Sequence, residues 1–263
     1  MKLPVPVLAL LVAMPAAAQD RPFCADRPGL GAPACTLAPG RVMVETGIGE
    51  WTRDDTSDER TDTIVVAETF VRIGVTETLE AQVGWTPYGR QRVRDRATGA
   101  MDRIDGVGDV LVGAKLNLAN PDGEGFSIAV QPGFTLPVGR SGIGAGDWSA
   151  ALLVPLSYGL SGGLSLQATP QALATVDEDG SGRHLAWGSV VGLGLTITDS
   201  LAAGLEVQVM RDDDPGEATT QAFAGVSTAW QPGEDWQLDA GVNLGLNRAS
   251  DDLQLYAGIS RRF

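Results

Sequence analysis

The stretch Val110-Leu111-Val112-Gly113-Ala114-Lys115-Leu116-Asn117-Leu118 decides the fold. Val110, Val112, Ala114, Leu116 and Leu118 share one phase of a two-residue repeat. Asp109, Leu111, Gly113, Lys115 and Asn117 share the other, so the segment reads as a strand with two unlike faces. Trp236 to Asn247 repeats the pattern: Trp236, Leu238, Ala240, Val242, Leu244 and Leu246 alternate with Gln237, Asp239, Gly241, Asn243, Gly245 and Asn247. One face can meet lipid and the other water.

The same reading continued along the chain gives about twelve strands of roughly 9–11 residues, the length a tilted strand needs to cross a bilayer. They begin near Arg41, Thr63, Thr78, Gly108, Phe126, Ser149, Leu164, His184, Leu201, Thr220, Trp236 and Leu253. Acidic or Gly-rich connections (Trp51 to Asp62, Pro87 to Asp105, Arg211 to Ala218) take turns with tight ones (Leu160 to Gly163, Thr198 to Ser200), an asymmetry of porin type. An even strand number puts both termini on the short-turn, periplasmic side. The expectation is all-β: a transmembrane up-and-down antiparallel β-barrel over residues 40–263, in an outer membrane. A secreted β-sandwich also alternates, but the second face here is Gly, Ser, Gln, Asn and acid rather than another apolar layer.

The start of the chain, with Lys2, an apolar run from Leu3 to Val12 and Ala16-Ala17-Ala18, reads as a signal peptide over residues 1–18. No Cys follows the cut directly, which argues against a lipoprotein. Beyond it no run reaches the ~18 apolar residues that a membrane helix needs. With 34 Gly, 20% charged residues, a mean hydropathy of +0.02 and a net charge of -14, the composition is odd for a soluble domain. The acid is clustered at Asp54-Asp55, Asp58-Glu59, Asp177-Glu178-Asp179, Asp212-Asp213-Asp214 and Asp251-Asp252, so it is loop charge. Nucleic acid is excluded as a partner, since phosphates call for clustered Lys and Arg.

Cys24 and Cys35 are the only cysteines, and an even count in an exported chain favours one disulfide. Closing that loop contributes about 3 kcal/mol to the order of the segment. A zinc site is the weaker reading, because zinc wants about four N or S ligands and His184 is the sole His. The stapled segment 19–39 is compact enough to be a plug or gate in the periplasmic mouth, with a flexible tail as the alternative.

The polar phase supplies the candidate pore lining: Glu45, Glu68, Arg72, Glu80, Gln82, Asp109, Lys115, Asn117, Gln131, Gln167, Gln171, Glu206, Gln208, Asp239, Asn243 and Arg262. Acids slightly outnumber bases, so a wet pore would prefer cations or neutral solutes. The equal alternative is that these groups pair across a narrow lumen and close it, leaving a non-conducting structural or surface-interaction barrel. Strand number does not decide: about eight strands give a filled interior and about sixteen an aqueous one.

Pro132, Pro155 and Pro170 fall in mid-run of three consecutive strands. Proline cannot donate to the ladder, so they are candidates for a weak seam through which apolar solutes exit sideways, with plain bulges as the simpler reading. Trp51, Trp85, Tyr88, Trp148, Trp187, Trp230 and Trp236 sit near strand ends and fit interfacial girdles beside membrane lipid. Arg90, Arg92, Arg94, Arg96 and Arg103 lie among acids in what reads as a solvated loop, although such a loop can also grip lipopolysaccharide phosphates. Asp177-Glu178-Asp179-Gly180 is acidic enough for loose Ca²⁺ contact but lacks the spaced ligands of a dedicated loop. His184 is followed by Leu185 and Ala186, where the outer-membrane lipase pattern would place Ser two residues on; it reads as a rim residue. No catalytic residue, cofactor or metal site is expected.

Leu253, Leu255, Ala257, Ile259 and Phe263 are in phase, and the chain stops on Phe263. This resembles the terminal strand of outer-membrane barrels, whose last aromatic residue is read by the barrel-assembly machinery. Gly106-Val107-Gly108-Asp109-Val110 leading into Ala114-Lys115-Leu116, with Gly133-Phe134-Thr135-Leu136-Pro137-Val138-Gly139, resembles a Gram-negative outer-membrane family named for the meta pathway of phenol degradation. The preamble from Cys24 to Cys35, continuing to Arg41, is similar to the start of some members. That resemblance implies a barrel and passage of small molecules, aromatic or hydrophobic ones included; it supplies no catalytic residues.

Overall fold

Residues 21–263 are described by a computed structural model; the expected signal peptide lies outside the described residues. Sixteen hydrogen-bonded segments form one sheet, and because four wall strands are each split in two, they make twelve strands. These are β1 (Val42–Asp55), β2 (Glu59–Val66 and Thr69–Gly74), β3 (Leu79–Trp85 and Tyr88–Asp95) and β4 (Met101–Gly106 and Val110–Ala119). Next come β5 (Phe126–Leu136), β6 (Ser149–Leu153 and Leu156–Gly159), β7 (Leu164–Val176) and β8 (Arg183–Thr198). β9 (Leu201–Asp212), β10 (Thr219–Gly233), β11 (Trp236–Gly245) and β12 (Leu253–Arg262) complete the wall. Each strand is antiparallel to the next, and β12 returns to β1 in a register from Met43↔Arg262 to Arg53↔Leu253. Phe263 extends this closure, donating its N–H to Val42 O at 2.8 Å.

The faces are inverted relative to a soluble protein. On β9, Leu205, Val207 and Val209 are 57%, 48% and 47% exposed. Their outward phase alternates with Glu206 and Gln208. On β3 and β4 the inward Glu80, Gln82, Lys115 and Asn117 are all buried, while Val83, Trp85, Val112, Leu116 and Leu118 are exposed. An apolar band of this extent is a liability in water and a requirement in hydrocarbon. There the ring must also close, because an unpaired edge would leave amides without partners.

Residues 75–78, 120–125, 160–163, 199–200 and 234–235 are the connections at the end that carries both termini. At the other end, two of the expected loops are corrected. Within Trp51 to Asp62 the strands run on to Asp55 and resume at Glu59, and Pro87 to Asp105 is mostly a hairpin of β3 and β4. Period reading stopped early there because charged residues occupy both phases. The longest open connection is instead 137–148, between β5 and β6.

The prolines sit where pairing fails. The β4–β5 ladder passes from Gly113↔Gly133 to Leu116↔Val130, skipping the level of Pro132. Pro155 is the point at which β6 divides, and Ala129 N–H to Pro155 O and Val154 N–H to Pro170 O, both 2.9 Å, span the break. Pro132 and Pro170 face outward and Pro155 is fully buried on the inside.

Candidate functional site: a plugged lumen

Residues 21–41 have almost no regular structure of their own and lie inside the turn-side half of the barrel. Backbone without secondary structure must find partners elsewhere, and the wall supplies them. Asp26 and Arg27 donate their N–H groups to Glu45 at 3.0 and 2.9 Å, and Leu30 and Gly31 donate to Glu206 at 2.7 and 3.2 Å. Ala32 donates to Thr169 Oγ1 at 3.1 Å and Leu37 to Glu80 at 3.0 Å. Asn117 Nδ2 donates to Ala34 O at 2.8 Å, Gln237 Nε2 to Arg27 O at 2.7 Å, and Arg262 to Arg21 O at 2.6 Å. Much of the inward phase is therefore a receptor for this segment. The Cys24–Cys35 disulfide closes it into a compact loop.

The centre of the attachment is ionic. Arg72, fully buried, bonds Glu80 at 2.8 Å, Asp26 at 3.0 Å, Glu45 at 3.1 Å and Cys24 O at 2.6 Å. Lys115, also fully buried, lies 2.6 Å from Asp26 and 3.7 Å from Glu80. Two cations and three carboxylates share one buried site, and Gln82 adds a bond to Glu80 at 2.7 Å. Arg27 reaches across to Asp239 at 3.0 Å, and Arg262 pairs with Asp235 at 2.8 Å.

The opposite wall is different. Ser165, Gly192, Gly194, Ala202, Gly204, Ser227 and Ala229 present small inner faces and, with Gln167, Glu206 and Pro28, enclose a cavity of about 190 Å³ beside the plug. Above the plug a second cavity of about 260 Å³ is lined by Asp26, Arg27, Glu45, Glu68, Phe70, Thr86, Asp109 and Leu111. The 137–148 connection folds over this end. Asp109 accepts from Gly139 N–H at 2.8 Å and Ala145 N–H at 2.7 Å, and Arg140 Nη1 donates to Asp105 O at 2.8 Å. Gly89 and Gly106 face each other across the β3–β4 ladder. A Cβ on either would meet Ile143 or Arg140 at 2.6 Å, so the pair forms the socket for this loop.

The model described as "Putative MetA-pathway of phenol degradation" matches residues 25–263. The chain belongs to this family. Among solved structures, the NanC porin superposes with a TM-score of 0.52 at 10% identity, covering 84% of this chain and 98% of that one. The translocator domain of the autotransporter NalP from Neisseria meningitidis gives 0.52 at 17% identity over 85% and 88%. The KdgM porin, solved with disordered oligogalacturonate, gives 0.51 at 9% over 85% and 99%. At such identities the likeness is one of fold, an outer-membrane barrel, which with the apolar exterior places this family member in the outer membrane. No curated protein matches the chain in sequence.

The sixteen polar positions named from sequence all fall on the inward phase of this barrel, in distinct settings. Glu45, Arg72, Glu80, Gln82, Lys115, Asn117, Glu206, Asp239 and Arg262 hold the plug or its ionic centre. Glu68 and Asp109 border the upper cavity, Gln131 bonds Gln82 at 3.1 Å, and Gln167 borders the cavity beside the plug. Gln171 contacts Met210 Sδ at 3.0 Å, Asn243 bonds Gln254, and Gln208 alternates with outward valines. Sequence reading missed Asp26 and Arg27, the plug's own charged residues, and the inward Phe70, and it put Leu111 on the inward phase without naming it as lining; Phe70 and Leu111 break the polar phase. The clue was present in Arg27, a cation within a Pro- and Gly-rich stretch that lacks any strand period.

His184 lies near the loop-side rim, Nδ1 2.9 Å from Asp177 and 3.3 Å from Asp214, Nε2 2.6 Å from Asp212. Asp177, His184 and Asp214 offer ligand atoms within 4.8 Å of one another, the one group of described residues arranged to hold a cation. The Asp214 carboxyl is held below the usual range by the N–H groups of Glu178 and Gly216. Phe263 is exposed on the outer surface, with Arg261 over its ring at 4.5 Å.

Proposed function

We propose that the protein is an outer-membrane channel for passive diffusion of small molecules, aromatic or hydrophobic ones among them, through a slot that its own N-terminal segment leaves open. The observation that carries this reading is the cavity of about 190 Å³ between Pro28 and the small residues of β7 to β10, together with the larger one of about 260 Å³ on the facing β1 to β4 side. A cavity of about 150 Å³ already accommodates benzene, so the dimensions favour single-ring solutes, in line with the family's link to phenol degradation. Phe70 and Leu111 give the upper cavity an apolar side, and Glu45, Glu68 and Asp109 against Arg27 give it a negative bias, which disfavours anions. Passage needs no catalytic residue, metal or cofactor. Phe263, in the closing strand and exposed, suits recognition by the barrel-assembly machinery.

Liposome swelling with sugars, amino acids and phenolics tests the reading. Faster swelling for uncharged phenols than for sugars of two or more rings supports it. No swelling with any solute supports the rival, a sealed barrel whose loops do the binding.

One observation favours sideways exit for the most apolar solutes. Next to the break of β6 at Pro155, on the loop side, an outward groove of about 430 Å³ on β6 to β8 is floored by Ala150, Ala172 and Ala174 and walled by Leu152 and Leu185. With Pro132→Val and Pro170→Val together, uptake of hydrophobic solutes drops if they leave there; unchanged uptake rejects this route.

A further inference from the structure

Where β1 to β4 rise past the apolar band, their outward phase forms a grid read from the registers. The lowest row is Trp51, Ile64, Arg90 and Asp105; the next is Arg53, Asp62, Arg92 and Arg103; the highest is Asp55, Arg60, Arg94 and Met101. Six arginines and three aspartates thus share one patch of a chain whose net charge is -14. Arg92 stands directly opposite Arg103 and Arg60 opposite Arg94. Like charges in that position destabilise a sheet, so the arrangement is not explained by stability of the wall.

The aspartates do not neutralise it. Asp62 is taken by Arg60 at 2.9 Å with Arg53 at 3.6 Å, and Asp105 by Arg90 at 2.7 Å and Arg103 at 2.6 Å. Asp55 is taken by Arg96. The side chains of Arg92 and Arg94 are exposed and make no ion pair or hydrogen bond among the described residues. The patch has a fixed height: Trp51, Tyr88 and Ile64 mark the edge of the apolar band, and the two upper rows stand about 7 and 14 Å further along strands that rise ~3.4 Å per residue. That is headgroup level. The far side of the same rim differs, its outward Arg183 and Arg211 each being paired, with Asp147 and Asp213 at 2.8 Å.

We infer that this grid binds the phosphate groups of outer-leaflet lipopolysaccharide, with Arg92 and Arg94 as the open donors and Arg53, Arg60 and Arg103 as their neighbours. Guanidinium groups match phosphate oxygens in bidentate geometry, and occupancy by phosphate relieves the facing-arginine repulsion. The inference rests on the loop-side end facing the cell exterior, which belongs to the channel reading above.

The test uses the mature protein refolded in detergent with EDTA present, and measures binding of bis-phosphorylated lipid A, dephosphorylated lipid A and phosphatidylglycerol. Wild type retains bis-phosphorylated lipid A far better than the other two, and Arg92→Gln with Arg94→Gln weakens it by roughly tenfold per arginine. The control Arg183→Gln with Arg211→Gln, whose arginines carry aspartate partners, leaves retention within about twofold. Heat-modifiable migration on gels confirms that each variant is a folded barrel. Equal retention by the Arg92/Arg94 variant, or wild-type retention that ignores the phosphates, overturns the inference. Labelling of Thr98→Cys by an impermeant maleimide on intact cells reports orientation separately; absence of labelling also overturns it, while swelling by the channel is untouched by any of these results.

Discussion

The β1 to β4 wall and the β7 to β10 wall face the same plug with opposite chemistry. The first offers Glu45, Arg72, Glu80 and Lys115, long side chains that are fully buried and knit to Asp26 and Leu37 of the plug. The second offers Gly192, Gly194, Gly204, Ser165 and Ser227 and leaves a cavity. A barrel of about twelve strands is wider than the eight-stranded kind that side chains fill and narrower than the sixteen-stranded aqueous kind. At the level of the plug the excess width is divided: one side is closed by ion pairs and a chain segment, and the other is kept clear by small residues. The plug is thus anchored eccentrically, and the direction of the anchor sets where solute passes.

The largest expected effect comes from breaking the anchor. Arg72→Met leaves Glu45, Glu80 and Asp26 sharing a buried site with Lys115 alone, a loss of about 3–5 kcal/mol if no water enters. Urea unfolding from lipid vesicles should show a lowered midpoint. Adding Glu80→Gln should recover part of that loss, and no recovery would mean that Arg72 acts only by filling space.

Next in size is the staple. Cys24→Ser with Cys35→Ser removes a constraint of about 3 kcal/mol, and the effect should stay in the plug. Amide exchange should quicken at residues 26–37 while the β7 to β10 ladders keep their protection. Equal acceleration in the wall would contradict a plug that docks onto a barrel already formed.

On the clear side, Gly204→Leu fills the cavity at little structural cost, because the added Cβ meets only Ser227 Oγ, at 2.9 Å. Phenol flux should fall several-fold with stability changed by less than about 1 kcal/mol. Unchanged flux would move the path elsewhere. The smallest effect is expected at the far end: Ile143→Ala empties the Gly89 socket, but Asp109 still caps the 137–148 loop. Swelling rates should change less than twofold there.

How much of this was legible in the sequence follows from what periodicity encodes. Alternation such as Val110 to Leu118 states which face each residue takes, so the strand number, the inward phase and most strand starts were readable, those expected at Thr63 and Gly108 lying instead at Glu59 and Met101. Alternation fails where both phases are charged, as at Asp102 and Arg103, and there a hairpin looked like a loop. It also says nothing of what an inward residue meets. Glu45 and Glu206 looked like pore lining because their partners, the backbone amides of Asp26 and Leu30, belong to a segment without any period. Phe70 and Leu111 were lost for the converse reason, being apolar residues on a phase read as polar. The facing of Arg92 and Arg103 depends on register between strands, which no single-strand pattern contains.

Planar-bilayer recording of the mature chain beside a chain lacking residues 21–38 tests the account most directly. The account predicts small, steady steps from the first and steps several-fold larger from the second, since the barrel wall pairs through β1 to β12 without the plug. Silence from both, with each protein folded and inserted, would contradict it.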